Sequence, residues 1–181
     1  MDGQISRYKS KLIAKGFQQV HGIDYDETFA SVAKMDSIQL ALAIATTKGW
    51  EFHQMDVKNA FLHGDLSKDI YMEQPQGFMQ DSSLVCRLKK SLYGLKQALR
   101  AWYAKMDSYL LSQNCVIYKL DPNVYRLRMT DSLLLLVLYV VDLLITGCST
   151  SAIAAVKRIL HDRFLMTNMG PLHFFLGLEI S

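Results

Sequence analysis

"LYVVDLLITG", residues 138–147, is an apolar stretch with a single carboxylate, Asp142, near its middle. The apolar residues extend back to Leu133, but the run as far as Ile145 is shorter than the roughly 20 residues that a membrane helix needs, and Asp142 interrupts it. The stretch therefore predicts buried strands that meet at a tight turn around Val141 and Asp142, and no membrane span. Hairpin turns favour Asn-Gly or Asp-Gly over Val-Asp, so the aspartate needs a reason other than the turn.

The composition indicates a folded domain. Of the 181 residues, 50% are apolar and only three are proline, which predicts a sizeable core rather than disorder. The formal net charge of +3 favours a polyanionic partner but is too small to establish one. The three cysteines lie far apart and form no Cys-x-x-Cys pair, which indicates a reducing, intracellular compartment.

The N-terminal segment "RYKSKLIAKGF" places four cations at odd positions, namely Arg7, Lys9, Lys11 and Lys15. In an extended strand these side chains would project from one face. Taken alone, the pattern favours a solvated strand edge protected by lysines over a face that binds a polyanion.

Residues 35–50 carry both start and stop signals of a helix. Asp36 or Ser37 is the expected cap, apolar residues follow, and Gly49 comes at the end. The next segment, "WEFHQMDV", is rich in aromatic and apolar residues and predicts a strand that ends near Asp56.

Two further helices are predicted from apolar residues at helical spacing. Residues 84–114 give a short strand, a glycine-containing turn and a long helix, and a last helix begins at a cap within 149–151. The apolar faces consist of Trp102, Met106, Tyr109 and Leu110 in the first helix, and Ile153, Val156, Leu160 and Phe164 in the second. Strands are predicted at 69–74 and on both sides of a turn at 130–132, and a Gly170-Pro171 turn precedes the strand-like "HFFLGLEI". The order predicts an α+β fold with helices packed on a mostly antiparallel sheet.

Asp56 and Asp142 are the candidate metal ligands. Neighbouring strands would bring both carboxylates to one edge of the sheet, and Mg²⁺ commonly binds one or two carboxylates together with substrate phosphates. The alternative for Asp142 is a surface aspartate that caps a turn. The histidines show no zinc-ligand spacing, and the sequence contains no G-x-x-x-x-G-K phosphate loop.

Seven segments follow one another in a fixed order along nearly the whole chain. They are "YKSKLIAKGF", "GIDYDETFASVAK", "MDVKNAFLHGDL", "YMEQPQGF", "VCRLKKSLYGLKQALRAWY", "YVVDLLITG" and "HFFLGLEI". Together they resemble the reverse transcriptase of copia-type LTR retrotransposons. The resemblance implies a right-hand polymerase, with fingers formed by about residues 1–50 and 68–100 and a palm formed by about residues 51–67 and 101–181.

The resemblance also implies which residues form the active site. Asp56 would be the first metal-binding aspartate, with the backbone carbonyl of Val57 beside it, and Asp142 the second of a Y-V-D-D pair, so that two Mg²⁺ or Mn²⁺ ions bind. Phe61 would crowd a ribose 2′-hydroxyl and so favour deoxynucleotides. The other implied residues are Lys9, Lys11, Lys15 and Gln97 for the nucleotide or template, and Leu176 and Gly177 for the primer grip. For the lysines, the resemblance thus implies binding of the nucleotide or template instead of a solvated strand edge.

The implied partners are an RNA or DNA template with its primer, deoxynucleoside triphosphates and the rest of a Pol polyprotein. The thumb, protease, integrase and ribonuclease H regions would lie outside this chain. The resemblance further implies a cytoplasmic virus-like particle and no membrane attachment.

Three positions depart from the family pattern. Leu99 and Ser31 stand where the family usually has proline, and both are expected to be tolerated. Val141 stands where the family has the first aspartate of the pair, a metal ligand, and valine offers neither an oxygen nor a charge. The sequence therefore predicts an inactive or severely impaired polymerase. The alternatives are a non-catalytic nucleic-acid-binding remnant and an inert relic of a decayed element.

Overall fold

The structure, a computed structural model, describes Tyr8 and residues 10–180. Its α-helices are α1 (Met35–Lys48), α2 (Ala98–Ser112) and α3 (Thr150–Phe164). Its strands are β1 (Phe52–Val57), β2 (Tyr71–Met72), β3 (Cys86–Arg87), β4 (Val116–Tyr118), β5 (Asp121–Met129), β6 (Ser132–Tyr139), β7 (Asp142–Gly147), β8 (Met166–Pro171), β9 (Phe174–Phe175) and β10 (Leu178–Glu179). Short 3₁₀ turns cover Gly16–Gln18 and Ala60–His63.

The main sheet of the described chain contains six strands in the order β4-β5-β6-β7-β1-β8, and each neighbouring pair is antiparallel. β5, β6 and β7 follow one another as hairpins, whereas β1 comes from much earlier in the chain and lies between β7 and β8. β2 pairs with β3, and β9 with β10, outside this sheet. The predicted α+β class with a mostly antiparallel sheet is confirmed.

Helices cover both faces of the sheet. On one face α2 and α3 pack on alternate residues of β1, β6 and β7. The largest side chains of that layer include Trp102, Met106, Phe164, Met55 and Leu143. On the other face α1 packs through Ile38, Ala41 and Ala45 on Phe52, Val137 and Leu144. Because β7 is buried on both faces, its central residues Leu143, Leu144 and Ile145 are all apolar instead of alternating.

The predicted helices are confirmed. α2 buries Trp102, Met106 and Leu110, and α3 buries its whole predicted face. Ser149 caps the N-terminus of α3, and its Oγ accepts a hydrogen bond from the Ala152 N–H at 3.2 Å. Gly49 ends α1 in the left-handed region, with φ 64°, a conformation that glycine adopts without a steric penalty.

The N-terminal cap of α1 comes from a distant strand, so the predicted caps Asp36 and Ser37 are wrong. Lys34 precedes the helix, and its backbone N–H donates to Asp121 Oδ2 at 2.8 Å. Burial would raise the pKa of Asp121, but hydrogen bonds from the N–H groups of Lys34 and Asn123 outweigh it and hold the pKa below its ordinary value. A remote carboxylate thus replaces the local cap and ties β5 to α1.

The predicted strand with a cationic face is wrong over the described residues. Residues 10–15 have no regular secondary structure, and the 3₁₀ turn follows directly. Lys11 and Lys15 therefore do not share a strand face, and Arg7 and Lys9 lie outside the described residues.

A close backbone contact with the loop before α2 fixes this segment instead. The Ala14 N–H donates to the Tyr93 carbonyl at 2.7 Å. Gly94 has φ +90°, and a Cβ at that position would lie 2.2 Å from the Ala14 carbonyl oxygen. Only glycine permits both the conformation and the approach, so a distant loop determines the path of the segment.

The predicted turn at Gly170-Pro171 is also wrong. Both residues lie in β8, which is an edge strand, and there a proline is tolerated because one side of the strand needs no ladder hydrogen bond. The segment "HFFLGLEI" forms the short strands β9 and β10, joined by Leu176 and Gly177. No helix among the described residues is long and apolar enough to cross a membrane.

Candidate functional site

Asp56 and Asp142 lie directly opposite each other on adjacent strands. The register of β1 and β7 pairs Phe52 with Thr146 at one end and Asp56 with Asp142 at the other. Facing residues in an antiparallel pair have Cα atoms about 4.5–5.5 Å apart and point to the same side of the sheet. The structure therefore brings the two carboxylates together at the same end of these two neighbouring strands, as predicted.

The turn before Asp142 is strained and is held from two sides. It consists of Val140 and Val141, one residue earlier than predicted, because Tyr139 already pairs with Asp142. Val140 has φ 56°, which is costly for a β-branched residue. Its carbonyl accepts a hydrogen bond from Trp102 Nε1 at 2.9 Å, and the Val141 carbonyl accepts one from the Val57 N–H at 3.2 Å.

Val141 fits this turn through its side chain. It is half-buried and packs against the core layer formed by α2 and α3. A valine is therefore accommodated sterically where the family pattern has an aspartate, although it offers no ligand atom to a metal.

The Asp142 carboxylate is in an unfavourable electrostatic environment for a free anion. Burial raises its pKa, and the charge of Asp56 raises it further. Gln54 opposes these effects, since its Nε2 donates to Asp142 Oδ1 at 2.9 Å. The pKa is raised overall, which means that an unneutralised Asp142 is destabilised and that a cation would relieve it.

The donor set suits one hard divalent cation better than two. Two opposed carboxylates fit a Mg²⁺ ion that takes its other ligands from substrate phosphates and water. Two ions about 4 Å apart need more anionic ligands. Among the described residues no group of three or more His, Cys, Asp or Glu side chains is placed to hold a metal, and Val141, directly before Asp142, has no ligand atom in its side chain.

Phe61 lies in the 3₁₀ turn that follows β1 and contacts Tyr93, which is not among the predicted site residues. Its ring meets Tyr93 edge to face, with centroids 4.5 Å apart. The Lys11 ammonium lies 4.1 Å from the centroid of the same Tyr93 ring. Tyr93 therefore brings together Phe61 and Lys11, two of the predicted nucleotide-binding residues.

The other predicted nucleotide-binding residues that the structure describes, Lys15 and Gln97, make their polar side-chain contacts with residues other than Asp56 and Asp142. Lys15 is exposed and lies 3.8 Å from Glu73, and Lys9 is outside the described residues. The Gln97 side chain accepts a hydrogen bond from Gln19 Nε2 at 3.0 Å and donates to the Asp24 carbonyl at 3.1 Å. Both ends of that amide thus anchor the N-terminal segment.

Leu176 and Gly177 form the turn between β9 and β10, with φ 49° and 84°. The Phe175 ring, one residue earlier, packs edge to face on Tyr139, with centroids 5.6 Å apart. Tyr139 directly precedes the Val140–Val141 turn. The hairpin that carries the predicted primer grip therefore packs against the end of β6 that leads into this turn.

Leu99 and Ser31 stand where the resemblance implies proline, and their surroundings explain why other residues fit there. Leu99 lies in the first turn of α2, where a backbone N–H has no partner within the helix and proline would also fit. Ser31 forms a contact that proline could not make, since its Oγ accepts a hydrogen bond from Asn123 Nδ2 at 2.7 Å. Both departures are compatible with the fold.

Three features of the site were not predicted from the sequence, namely Gln54, Tyr93 and the hydrogen bond from Trp102 to Val140. Gln54 could have been found, because it lies two residues before Asp56 and a strand places such residues on the same face. Tyr93 and the Trp102 contact depend on how the loop before α2 and α2 itself lie on the sheet, and no local pattern indicates that.

Comparison with known proteins gives one consistent result. The model of the family described as reverse transcriptase (RNA-dependent DNA polymerase) matches residues 2–181. The retrovirus-related Pol polyprotein from transposon TNT 1-94 of Nicotiana tabacum is 47% identical over 99% of this chain and 14% of its own length. That from transposon RE1 of Arabidopsis thaliana is 43% identical over 98% of this chain and 12% of its own length.

A more distant relative is the transposon Ty1-BL Gag-Pol polyprotein of Saccharomyces cerevisiae, which is 33% identical over 59% of this chain and 6% of its own length. The chain thus spans only 6–14% of the length of these curated relatives. No solved structure matches it.

Proposed function

The chain belongs to the reverse transcriptase (RNA-dependent DNA polymerase) family of copia-type transposon Pol polyproteins, and on this premise we propose that it forms the fingers and palm of a polymerase that extends a primer on an RNA or DNA template. The proposed fingers are about residues 1–50 and 68–100, and the palm about residues 51–67 and 101–181. The single observation that carries the proposal is the opposition of Asp56 and Asp142 on β1 and β7.

The two aspartates are the proposed metal ligands, with the carbonyl of Val57 beside them. When bound, divalent ions such as Mg²⁺ or Mn²⁺ supply the positive charge that favours attack of the primer 3′-hydroxyl on the nucleotide α-phosphorus and stabilises the leaving pyrophosphate. The protein's own contribution is to hold both carboxylates opposite each other on neighbouring strands of the main sheet. The raised pKa of Asp142 supports this role, because such an anion is stabilised by a bound cation.

The proposed nucleotide site lies on the side of Phe61. Phe61 would exclude a 2′-hydroxyl by its bulk, and its contact with Tyr93 holds the ring in place. Lys11, Lys15 and Lys9 would attract the triphosphate or the template. Gln97 would line the pocket through its position at the start of α2, and Leu176 and Gly177 would hold the primer end near Tyr139.

The proposed partners follow from the relatives, whose names describe Pol and Gag-Pol polyproteins. We propose that the thumb, ribonuclease H and integrase regions lie in other parts of a Pol polyprotein. We also propose that the chain assembles with them in a cytoplasmic virus-like particle. Copurification of the chain with a Pol polyprotein in sedimenting particles tests this placement, and a chain found only as a free species would contradict it.

Val141 makes this copy severely impaired in the proposed reaction. The carboxylate pair lacks one anionic ligand, and the lost charge stabilisation in a partly buried site amounts to several kcal/mol. Since each 1.36 kcal/mol is tenfold in rate, the expected loss is on the order of a thousandfold or more.

The test is Mg²⁺-dependent primer extension by three versions of the chain, supplied with a thumb if the chain alone is insoluble. These are the unaltered chain, Val141→Asp, and Val141→Asp combined with Asp56→Asn. We expect activity only in the second version. Robust extension by the unaltered chain would show that Asp56 and Asp142 suffice, and inactivity of all three with a thumb present would overturn the assignment of the two aspartates.

A second candidate function is non-catalytic binding of nucleic acid, and Val141 is the observation that favours it. Valine removes a metal ligand but packs in the core, so the fold and its lysines persist without the chemistry. Binding by a chain that stays inactive after Val141→Asp would support this candidate.

A further inference from the structure

Gln54 is placed to act on the carboxylate pair from within β1. It lies two residues before Asp56, on the same face of the strand. Its direct partner on β7 is Leu144, and Asp142 is the next residue on that face in the diagonal direction. A glutamine side chain is long enough to span such a diagonal, and the amide reaches Asp142 Oδ1 at 2.9 Å.

The hydrogen bond from Gln54 is made to a half-buried carboxylate, Asp142, that is flanked by apolar residues. Asp142 and Gln54 are both half-buried, and the neighbours of Asp142 on either side, Val141 and Leu143, have no polar side-chain atoms. Gln54 is the side chain that donates a hydrogen bond to Asp142 among the residues that the structure describes. Its donor fixes one oxygen and leaves the other carboxylate oxygen available.

We propose that Gln54 is a positioning residue of the carboxylate pair, whose amide fixes the orientation of Asp142 opposite Asp56 and so prepares the pair for a divalent cation. The inference rests on the proposed function, because it assumes that Asp56 and Asp142 bind a metal. Partners that orient metal ligands in this way typically contribute 10–100-fold to metal affinity.

The experiment is Mn²⁺ binding to the full chain, measured by the EPR signal of the free ion, in the unaltered sequence and in Val141→Asp. The test variant is Gln54→Met, which keeps the length of the side chain but removes the donor. Gln54→Asn keeps an amide donor on a side chain that is one carbon shorter. The matched control is Gln113→Met at the exposed C-terminal end of α2.

We expect Gln54→Met to weaken Mn²⁺ binding about tenfold or more, Gln54→Asn to retain part of the affinity, and Gln113→Met to leave it unchanged. Thermal melting in the absence of metal is measured for each variant, so that a loss of folding is not taken for a loss of positioning. A purely structural role would lower the melting temperature together with Mn²⁺ binding, and Gln54→Asn would then bind Mn²⁺ no better than Gln54→Met.

The outcomes of this experiment distinguish the role of Gln54 from the existence of the metal site. Equal Mn²⁺ binding by the parent chain and Gln54→Met overturns the role of Gln54 and leaves the proposed function intact. Failure of the parent chain and of Val141→Asp to bind Mn²⁺ at all overturns the metal site, and the role of Gln54 with it.

Discussion

Val141 leaves the fold in place and, in the proposed metal site, offers no ligand atom. Its side chain packs against the layer formed by α2 and α3, although Val141 lies in the turn between β6 and β7. An aspartate at this position would add an anion beside Asp142, whose pKa burial and the charge of Asp56 already raise. The valine therefore avoids repulsion that only bound cations would relieve.

Phe61 is the residue at which substrate choice can be tested. In the Val141→Asp background we expect Phe61→Val to admit ribonucleotides, because the smaller side chain removes a clash with the 2′-hydroxyl and adds no contact. The measurement is primer extension with ribonucleotides against deoxynucleotides. Phe78→Val is the matched control, since Phe78 is 79% exposed in a loop. Ribonucleotide use that stays as low as with Phe61 would refute the assignment.

At the scale of elements, an aromatic cluster joins the 3₁₀ turn after β1 to two helices. His63 lies 5.5 Å from Phe164 and 5.9 Å from Trp102 between ring centroids, and Trp102 and Phe164 meet edge to face at 5.5 Å. Burial lowers the pKa of His63, and the charges of Arg163 and Lys90 lower it further. The fold therefore favours neutral His63.

This cluster predicts a loss of stability in mild acid. The folded-state pKa of His63 is below its unfolded value of about 6.5, so the unfolded chain takes up the proton first and stability falls as the pH drops below that value. We expect His63→Phe to reduce the fall in melting temperature between about pH 7 and about pH 5.5.

His173→Phe is the control for this measurement, because His173 is exposed. If His63→Phe and the parent chain show the same dependence of melting temperature on pH, burial of neutral His63 does not contribute to it.

At the scale of the whole molecule, charge governs the expected binding. The net charge is only +3, so we expect weak binding to a primer–template duplex that does not depend on base sequence. Each phosphate contact contributes about −0.9 to the slope of log affinity against log salt on duplex DNA. Replacing Lys11 and Lys15 together by alanine should therefore make the slope shallower by roughly 1.8.

Fluorescence anisotropy at several salt concentrations measures this slope. The control is the double alanine variant of Lys48 and Lys119, two exposed lysines outside the proposed site. An unchanged slope for the Lys11 and Lys15 variant would remove these lysines from the interface. Binding that is insensitive to salt would contradict an electrostatic interface altogether.

The helices, most strands and the strand ends that carry Asp56 and Asp142 could be predicted from local sequence patterns. α2 and α3 could be predicted because their apolar residues recur at helical spacing, and Gly49 marked the end of α1 through its own conformational freedom. The strand ends near Asp56 and Asp142 were equally local. The absence of a carboxylate at Val141 was visible only against the family pattern.

How these elements meet depends on contacts between distant parts of the chain. The order of the sheet places β1 beside β7, and this order sets Asp56 opposite Asp142 and Gln54 within reach of it. Asp121 caps α1 from 87 residues away, and Trp102 holds the Val140 carbonyl from α2. Periodicity and capping signals act between residues a few positions apart, whereas these contacts join residues that become neighbours only once the helices have packed on the sheet.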